Sequence, residues 1–196
     1  MTKLPQNTGL LIVDVQVGFD DPKWGQRNNP HAEENIYMLL QYWRQSNRPI
    51  VHIQHLSTEL DSPLKPDRSG CEFKELTRPQ HGEPVIQKKV NSAFIGTKLE
   101  QHLRDRAIDS LVIVGLTTNH CISTTARMAG NLGFQTFVVS DATATFNRKG
   151  PNGKLYSATE IHDVSLASLH QEFATVIETK ELLLKNVNLQ KRTRQS

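Results

Sequence analysis

The chain has 196 residues, 37% of them hydrophobic, enough for one sizeable core and a single domain, assigned to residues 9–184. The formal charge of +3 includes Lys185, Lys191, Arg192 and Arg194, which sit in a basic tail over 185–196 that holds no acid. The body before it is close to neutral, so no nucleic-acid partner is expected.

The opening MTKLPQNTG lacks the apolar run of a signal peptide, and no stretch reaches the roughly 20 apolar residues of a membrane span. The two cysteines, Cys71 and Cys121, lie far apart in unlike settings, which argues against a disulfide framework. A soluble cytoplasmic protein with no membrane partner is the expectation.

In chain order, strands alternate with helices. Residues 9–13 (GLLIV) are apolar throughout, as a strand covered on both faces of a parallel sheet must be, and they end at Asp14. The loop 20–30 is polar and carries Trp24. Helical spacing of Ile36, Leu39, Leu40 and Trp43 predicts a helix over 32–45, ended by Asn47 and Pro49. Strand two covers 50–54 and opens onto His55. Residues 56–83 hold several prolines and glycines and no periodicity, the composition of a lid or subunit contact. A short strand over 85–87 leads to Lys88, and a helix is expected over 96–106.

The central stretch is LVIVGLTTNHCISTTARMA, from Leu111 to Ala129. An apolar strand ends near Gly115, a polar turn follows, and Cys121 arrives at the start of a helix. Free backbone N–H groups and the positive end of the helix dipole there are expected to lower the thiol pKa and to hold an oxyanion. Cys121 is therefore a candidate nucleophile. Strand five is expected over 134–139, a helix over 159–173, a last strand over 174–177 and a short helix over 180–184. This order predicts an α/β, three-layer Rossmann-like fold with a mainly parallel central sheet flanked by helices. Asp14, His55, Lys88, Cys121 and Asp141 each follow a predicted strand, so they fall along the carboxyl edge, where such sheets bind ligands.

Three motifs carry a family resemblance: LLIVDVQ around Asp14, KKVNSAFIGTKL from Lys88, and GLTTNHCISTTARMAGNLGF around Cys121. They resemble, in the same order, those of the isochorismatase-like cysteine hydrolases, and the likeness extends over about 9–183. The resemblance implies an Asp-Lys-Cys triad, with Asp14 as acid and base, Lys88 as the cation and Cys121 as the nucleophile. Lys89 is the local competitor for the lysine role, and the spacing to Ser92-Ala93-Phe94 favours Lys88. The resemblance also implies a cis Leu116–Thr117 peptide and an oxyanion hole formed by the backbone N–H groups of Thr117 and Cys121.

The implied activity is hydrolysis of a C–N bond of a small amide, carbamoyl or lactam substrate through a thioester, an amidohydrolase reaction. Two alternatives stand beside it: a vinyl-ether hydrolase of the isochorismatase type, a branch that generally lacks the cysteine, and a non-catalytic or redox-sensing member of the fold. Nicotinamidases carry an Asp-x-His metal motif where this chain has Gln54-His55-Leu56-Ser57, and His52 and His55 should face opposite sides of their strand. No metal and no cofactor are assigned. Phe19, Trp24, His55, Phe94 and His120 are the candidate substrate-binding residues, His162 is placed near the rim, and Cys71 is read as an incidental thiol. The family habit implies a homo-oligomer, a dimer or tetramer.

Overall fold

A computed structural model describes residues 4–187; the expected basic tail lies outside the described residues from position 188 onward. The chain runs through β1 (Gly9–Val13), α1 (Ala32–Gln45), β2 (Ile50–His55), β3 (Val85–Lys88), α2 (Leu99–Arg104), β4 (Ser110–Leu116), α3 (Ser123–Asn131) and β5 (Gln135–Ala144). It then forms a two-stranded hairpin, β6 (Arg148–Lys149) and β7 (Leu155–Tyr156), and ends with α4 (Ala158–Leu169), β8 (Thr175–Ile177) and α5 (Thr179–Val187). Six strands make one sheet in the order β3-β2-β1-β4-β5-β8, every pairing parallel.

Three layers follow from the two-residue alternation of β1 and β4. Leu11, Val13, Leu111 and Ile113 join Leu99 and Leu103 of α2, Ala126 of α3 and Leu166 of α4 on one face. Leu10, Ile12, Val112 and Val114 join Ile36, Leu39, Leu40 and Trp43 of α1 and Leu182 of α5 on the other. With both faces covered, these central strands are apolar on both sides except at Ser110, which opens β4.

Local chemistry sets the ends of the elements. Left-handed Asn47 (φ 51°) follows α1. The helix expected over 96–106 is confined to Leu99–Arg104, between left-handed Gly96 (φ 69°) and Ala107 (φ 50°). The helix expected over 159–173 ends at Leu169, because the chain turns back through Gln171 (φ 67°). Its start carries a capping box, with Ser157 accepting from the Glu160 N–H and the Glu160 side chain accepting from the Ser157 N–H. Strand β5 runs five residues beyond the expected end, since a register shift against β4 lets Thr143 and Ala144 pair with Gly115 and Leu116.

Candidate active site

Strand order reverses direction at the centre of the sheet. From β1 the chain moves outward to β2 and β3, then returns to lay β4 against the other side of β1. The carboxyl ends of β1 and β4 therefore diverge, leaving the crevice in which open parallel sheets bind ligands.

Asp14 stands at that point, fully buried and in the left-handed region at φ 54°. The Asp14 N–H donates to the Ile53 carbonyl at 3.0 Å and its own carbonyl accepts from Gln16 at 2.9 Å, which hold the turn. Lys88, the last residue of β3, lies in register with His55, the last of β2. The Lys88 chain crosses beneath His55 toward β1, and its ammonium donates to Asp14 Oδ2 at 2.6 Å, to Cys121 Sγ at 3.3 Å and to His55 Nδ1 at 3.1 Å. An ammonium has three protons, and each has a partner here. Cys121 sits in a π-helical turn, Thr118–Ile122, that leads into α3, and the Leu116–Thr117 peptide before it is cis.

Burial governs the protonation states. It pushes the Asp14 carboxyl up from its ordinary value, against the opposing pull of Lys88. Burial and the neighbouring Asp14 carboxylate push the Cys121 thiol well above its ordinary range, more than Lys88 draws it down. This corrects the expectation of a thiol pKa lowered by a helix N-terminus: a nine-tenths buried sulfur beside a carboxylate keeps its proton at rest. Asp14 Oδ1 is buried with no hydrogen-bond partner, and Asp14, His55 and Cys121 each place a polar atom within 4.8 Å of the others. Burial and Lys88 hold the His55 imidazole down to about 4, so it is neutral near pH 7. Those same three residues are the types that bind metal, but the Lys88 ammonium already stands among them, and a divalent cation would meet its charge.

Asp14 and Cys121 open onto a cleft of about 380 Å³, with Lys88 buried behind them. Thr117, His55 and His120 line it, as do Phe19 and Trp24. Trp24 is fixed by its indole N–H, which donates to the Gly18 carbonyl at 2.7 Å, and by the rings of Phe19 at 5.5 Å and Phe146 at 5.8 Å. Phe94 is not part of the wall: its ring packs on Phe134 at 5.8 Å within the core. Asp141 is likewise elsewhere. Because β5 continues past it, Asp141 remains inside the strand and its Oδ1 accepts from the Thr179 N–H and hydroxyl, each at 2.8 Å, capping α5.

His162 is buried, not at the rim. Its Nδ1 meets Thr118 Oγ1 at 2.9 Å and its Nε2 lies 3.5 Å from Asn29 Nδ2, so α4 braces the turn that carries Cys121. His52 is on the far side of its strand, with Nε2 bonded to Glu83 at 2.8 Å, as the spacing required. Cys71, within the 56–83 segment, is buried beside the Gln16 and Gln54 amides, which donate to its carbonyl.

Sequence reasoning missed two residues of the cleft. Asn91 brings Oδ1 to 3.8 Å from Cys121 Sγ, and Arg148 lines the wall from β6. The 56–83 segment, read from the sequence as a lid or subunit contact, supplies Ser57, Glu59, Ser62 and Leu64, none of which the sequence singled out. The Asn152-Gly153 pair, with Gly153 at φ 80°, was a readable hairpin signal for β6 and β7. Asn91 lies inside the KKVNSAFIGTKL motif, three residues after Lys88, and that spacing was the signal that could have found it.

Fold and cleft together define a three-layer α/β protein with a buried Asp-Lys-Cys cluster at the switch point of a parallel sheet. The chain matches the family model described as "Isochorismatase domain" over residues 8–181. It is 49% identical over 180 residues to the isochorismatase family protein YrdC of Bacillus subtilis, covering 92% of this chain and 96% of that one. It is 33% identical over 182 residues to nicotinamidase 3 of Arabidopsis thaliana, covering 93% of this chain and 79% of that one. A crystal structure of an isochorismatase-family protein from Chromobacterium violaceum superimposes with a TM-score of 0.92 at 40% identity, over 96% of this chain and 97% of that one. The chain belongs to the isochorismatase family, whose members are hydrolases. Among its described residues, no helix is long and apolar enough to cross a membrane.

Proposed function

We propose that the protein is a cysteine hydrolase that cleaves the C–N bond of a small amide, carbamoyl or lactam substrate through a thioester on Cys121. The observation that carries this reading is the Lys88 ammonium held between Asp14 Oδ2 and Cys121 Sγ at 2.6 and 3.3 Å. Further support comes from a similar protein, about a third identical, that is a nicotinamidase.

In the proposed reaction the Cys121 proton passes to Asp14 Oδ1, the oxygen without a partner at rest. The sulfur lone pair attacks the carbonyl carbon, and the C=O electron pair moves onto oxygen, where the Thr117 and Cys121 N–H groups receive it. Asp14 returns the proton to the leaving nitrogen as the C–N bond breaks. Water then attacks the thioester, Asp14 takes its proton, and as the C–S bond breaks and the acid is released Asp14 passes that proton to sulfur, restoring the thiol. Moving the proton from sulfur to Asp14 leaves the net charge of the three side chains unchanged. A buried site tolerates such a shift far better than it tolerates creating a new charge.

Intact-mass spectrometry during turnover of a panel of small amides, carbamoyl compounds and lactams, with ammonia and amine release followed in parallel, tests the reading. An acyl adduct on the wild type, absent from Cys121→Ser, is the expected outcome. Hydrolysis of a vinyl ether that survives Cys121→Ala would replace it with the ether-hydrolase alternative.

A further inference from the structure

Among the poorly exposed arginines, Arg148 is the one that lines this cleft. Arg27 pairs with Glu33, Arg44 chelates Glu83 at 2.7 and 2.9 Å, and Arg48 donates to the Pro5 carbonyl at 2.6 Å. Arg148 sits half-buried on β6 and lines the cleft alongside Cys121 and Trp24. Its Nε, like that of Arg48, is buried without a hydrogen-bond partner; unlike Arg48, whose guanidinium donates to the Pro5 carbonyl and lies over the Tyr42 and Trp43 rings, Arg148 has no side-chain hydrogen bond or ion pair among the described residues. Burial draws its pKa down, the mark of a cation whose own charge is under-solvated.

The other charges in the cleft do not answer it. Lys88 and Asp14 neutralise each other, and burial keeps His55 and His120 below their ordinary values. Glu59, the remaining acid of the lining, is exposed. The reactive end of the cleft thus suits a neutral carbonyl, while Arg148 offers an uncompensated planar fork of donors elsewhere in the same cavity. A guanidinium left in this condition is completed by a planar oxyanion, for which its geometry is bidentate.

We infer that Arg148 is the specificity-determining residue of the cleft and that it selects substrates bearing a carboxylate: a small amide or carbamoyl compound presents its scissile carbonyl to Cys121 while its carboxylate pairs with Arg148. The inference rests on Cys121 being the nucleophile. The cavity of about 380 Å³ limits the substrate to a small molecule.

Iodoacetate and iodoacetamide test this without knowledge of the substrate, because they are nearly isosteric alkylating agents that differ in charge. Rates of Cys121 alkylation by each are measured at one pH, with Cys71 labelling separated by peptide mass. The iodoacetate-to-iodoacetamide ratio is divided by that of glutathione, which cancels intrinsic reactivity. The wild-type ratio is expected to exceed that of glutathione by about tenfold or more, the scale of one charge-assisted bidentate contact. Arg148→Gln brings it to the glutathione value, and Arg148→Lys leaves it between the two. Because the Arg148 side chain makes no internal hydrogen bond, these variants keep the fold, and a matched urea-unfolding midpoint verifies that. A wild-type ratio equal to that of glutathione, or one untouched by Arg148→Gln, overturns the inference while leaving the nucleophile reading intact. Labelling of Cys121 by neither reagent overturns both.

Discussion

Gly115 of β4 faces Val13 of β1 with no room for a side chain: a Cβ at Gly115 would overlap the Val13 carbonyl oxygen and lie 2.8 Å from its carbon. The same residue has φ 122°, a region that L side chains rarely adopt. Asp14 follows Val13 directly, so the close approach of these two strands sets where the carboxylate stands. Gly115→Ala is expected to lose about 1–3 kcal/mol or more of stability through overpacking and backbone strain and to displace Asp14 from Lys88. Urea unfolding and the rate of Cys121 alkylation measure both effects; a variant with wild-type values for each would show that the strands can separate without consequence.

Lys88→Met replaces the buried ammonium with an apolar chain of similar length. Asp14 then stays buried with no cation, and breaking a buried pair from one side typically costs about 3–5 kcal/mol. Burial of the carboxyl, no longer opposed, favours its protonated form, which cannot accept the thiol proton. The expected result is a destabilised protein with Cys121 reactivity reduced at least a hundredfold. Retention of the wild-type alkylation rate would remove Lys88 from the chemistry.

The pH dependence of stability contains a His55 contribution whose sign is fixed. Its folded-state value is depressed to about 4 from an ordinary 6.5, so between those limits the unfolded chain holds the extra proton. Stability from this residue is complete above 6.5 and declines as pH falls toward 4. His52, His120 and His162 are shifted in the same direction, chiefly by burial, and add to the same slope. Thermal melts of wild type and His55→Gln between pH 4 and 7 should converge as the pH falls; parallel curves would contradict the assignment.

His162 braces the Cys121 turn through Thr118, a contact of 2.9 Å between two buried groups. His162→Ala leaves the Thr118 hydroxyl without that partner, at a cost of about 1–3 kcal/mol. It is also expected to slow acylation more than it weakens substrate binding, a fall in kcat with KM little changed. His162→Asn, which retains a hydrogen-bonding group, should recover part of the rate. Equal loss in the two variants would mean that α4 packing, rather than this hydrogen bond, positions the turn.

The central strands and the meeting of Asp14, Lys88 and Cys121 were legible because each has a strong local signal. Leu10 to Val13 and Leu111 to Val114 are apolar on both faces, and Asp14, Lys88 and Cys121 carry motifs that are specific in combination. Phe94 and Asp141 were misplaced for a different reason. An aromatic beside a motif looks the same whether it lines a cleft or packs on Phe134, and the polar pair Ser140-Asp141 after the apolar Phe137, Val138 and Val139 resembles a strand end even where a register shift lets the strand continue. Likewise the bracing of Thr118 by His162 joins residues 44 positions apart, a relation that no periodicity expresses.

The triad and the rest of the cleft are carried by different parts of the molecule. Asp14, Lys88 and Cys121 follow or end strands of the central sheet, where neighbouring layers hold them in place. Arg148 stands on a separate two-stranded hairpin, and Ser57, Glu59, Ser62 and Leu64 stand on an irregular segment outside that sheet. Substitutions in the hairpin or the segment can therefore reshape what the cleft admits with little disturbance to the core, whereas a comparable change beneath the triad would propagate through three layers. Descent from a common ancestor can then reshape the periphery while Asp14, Lys88 and Cys121 keep their geometry.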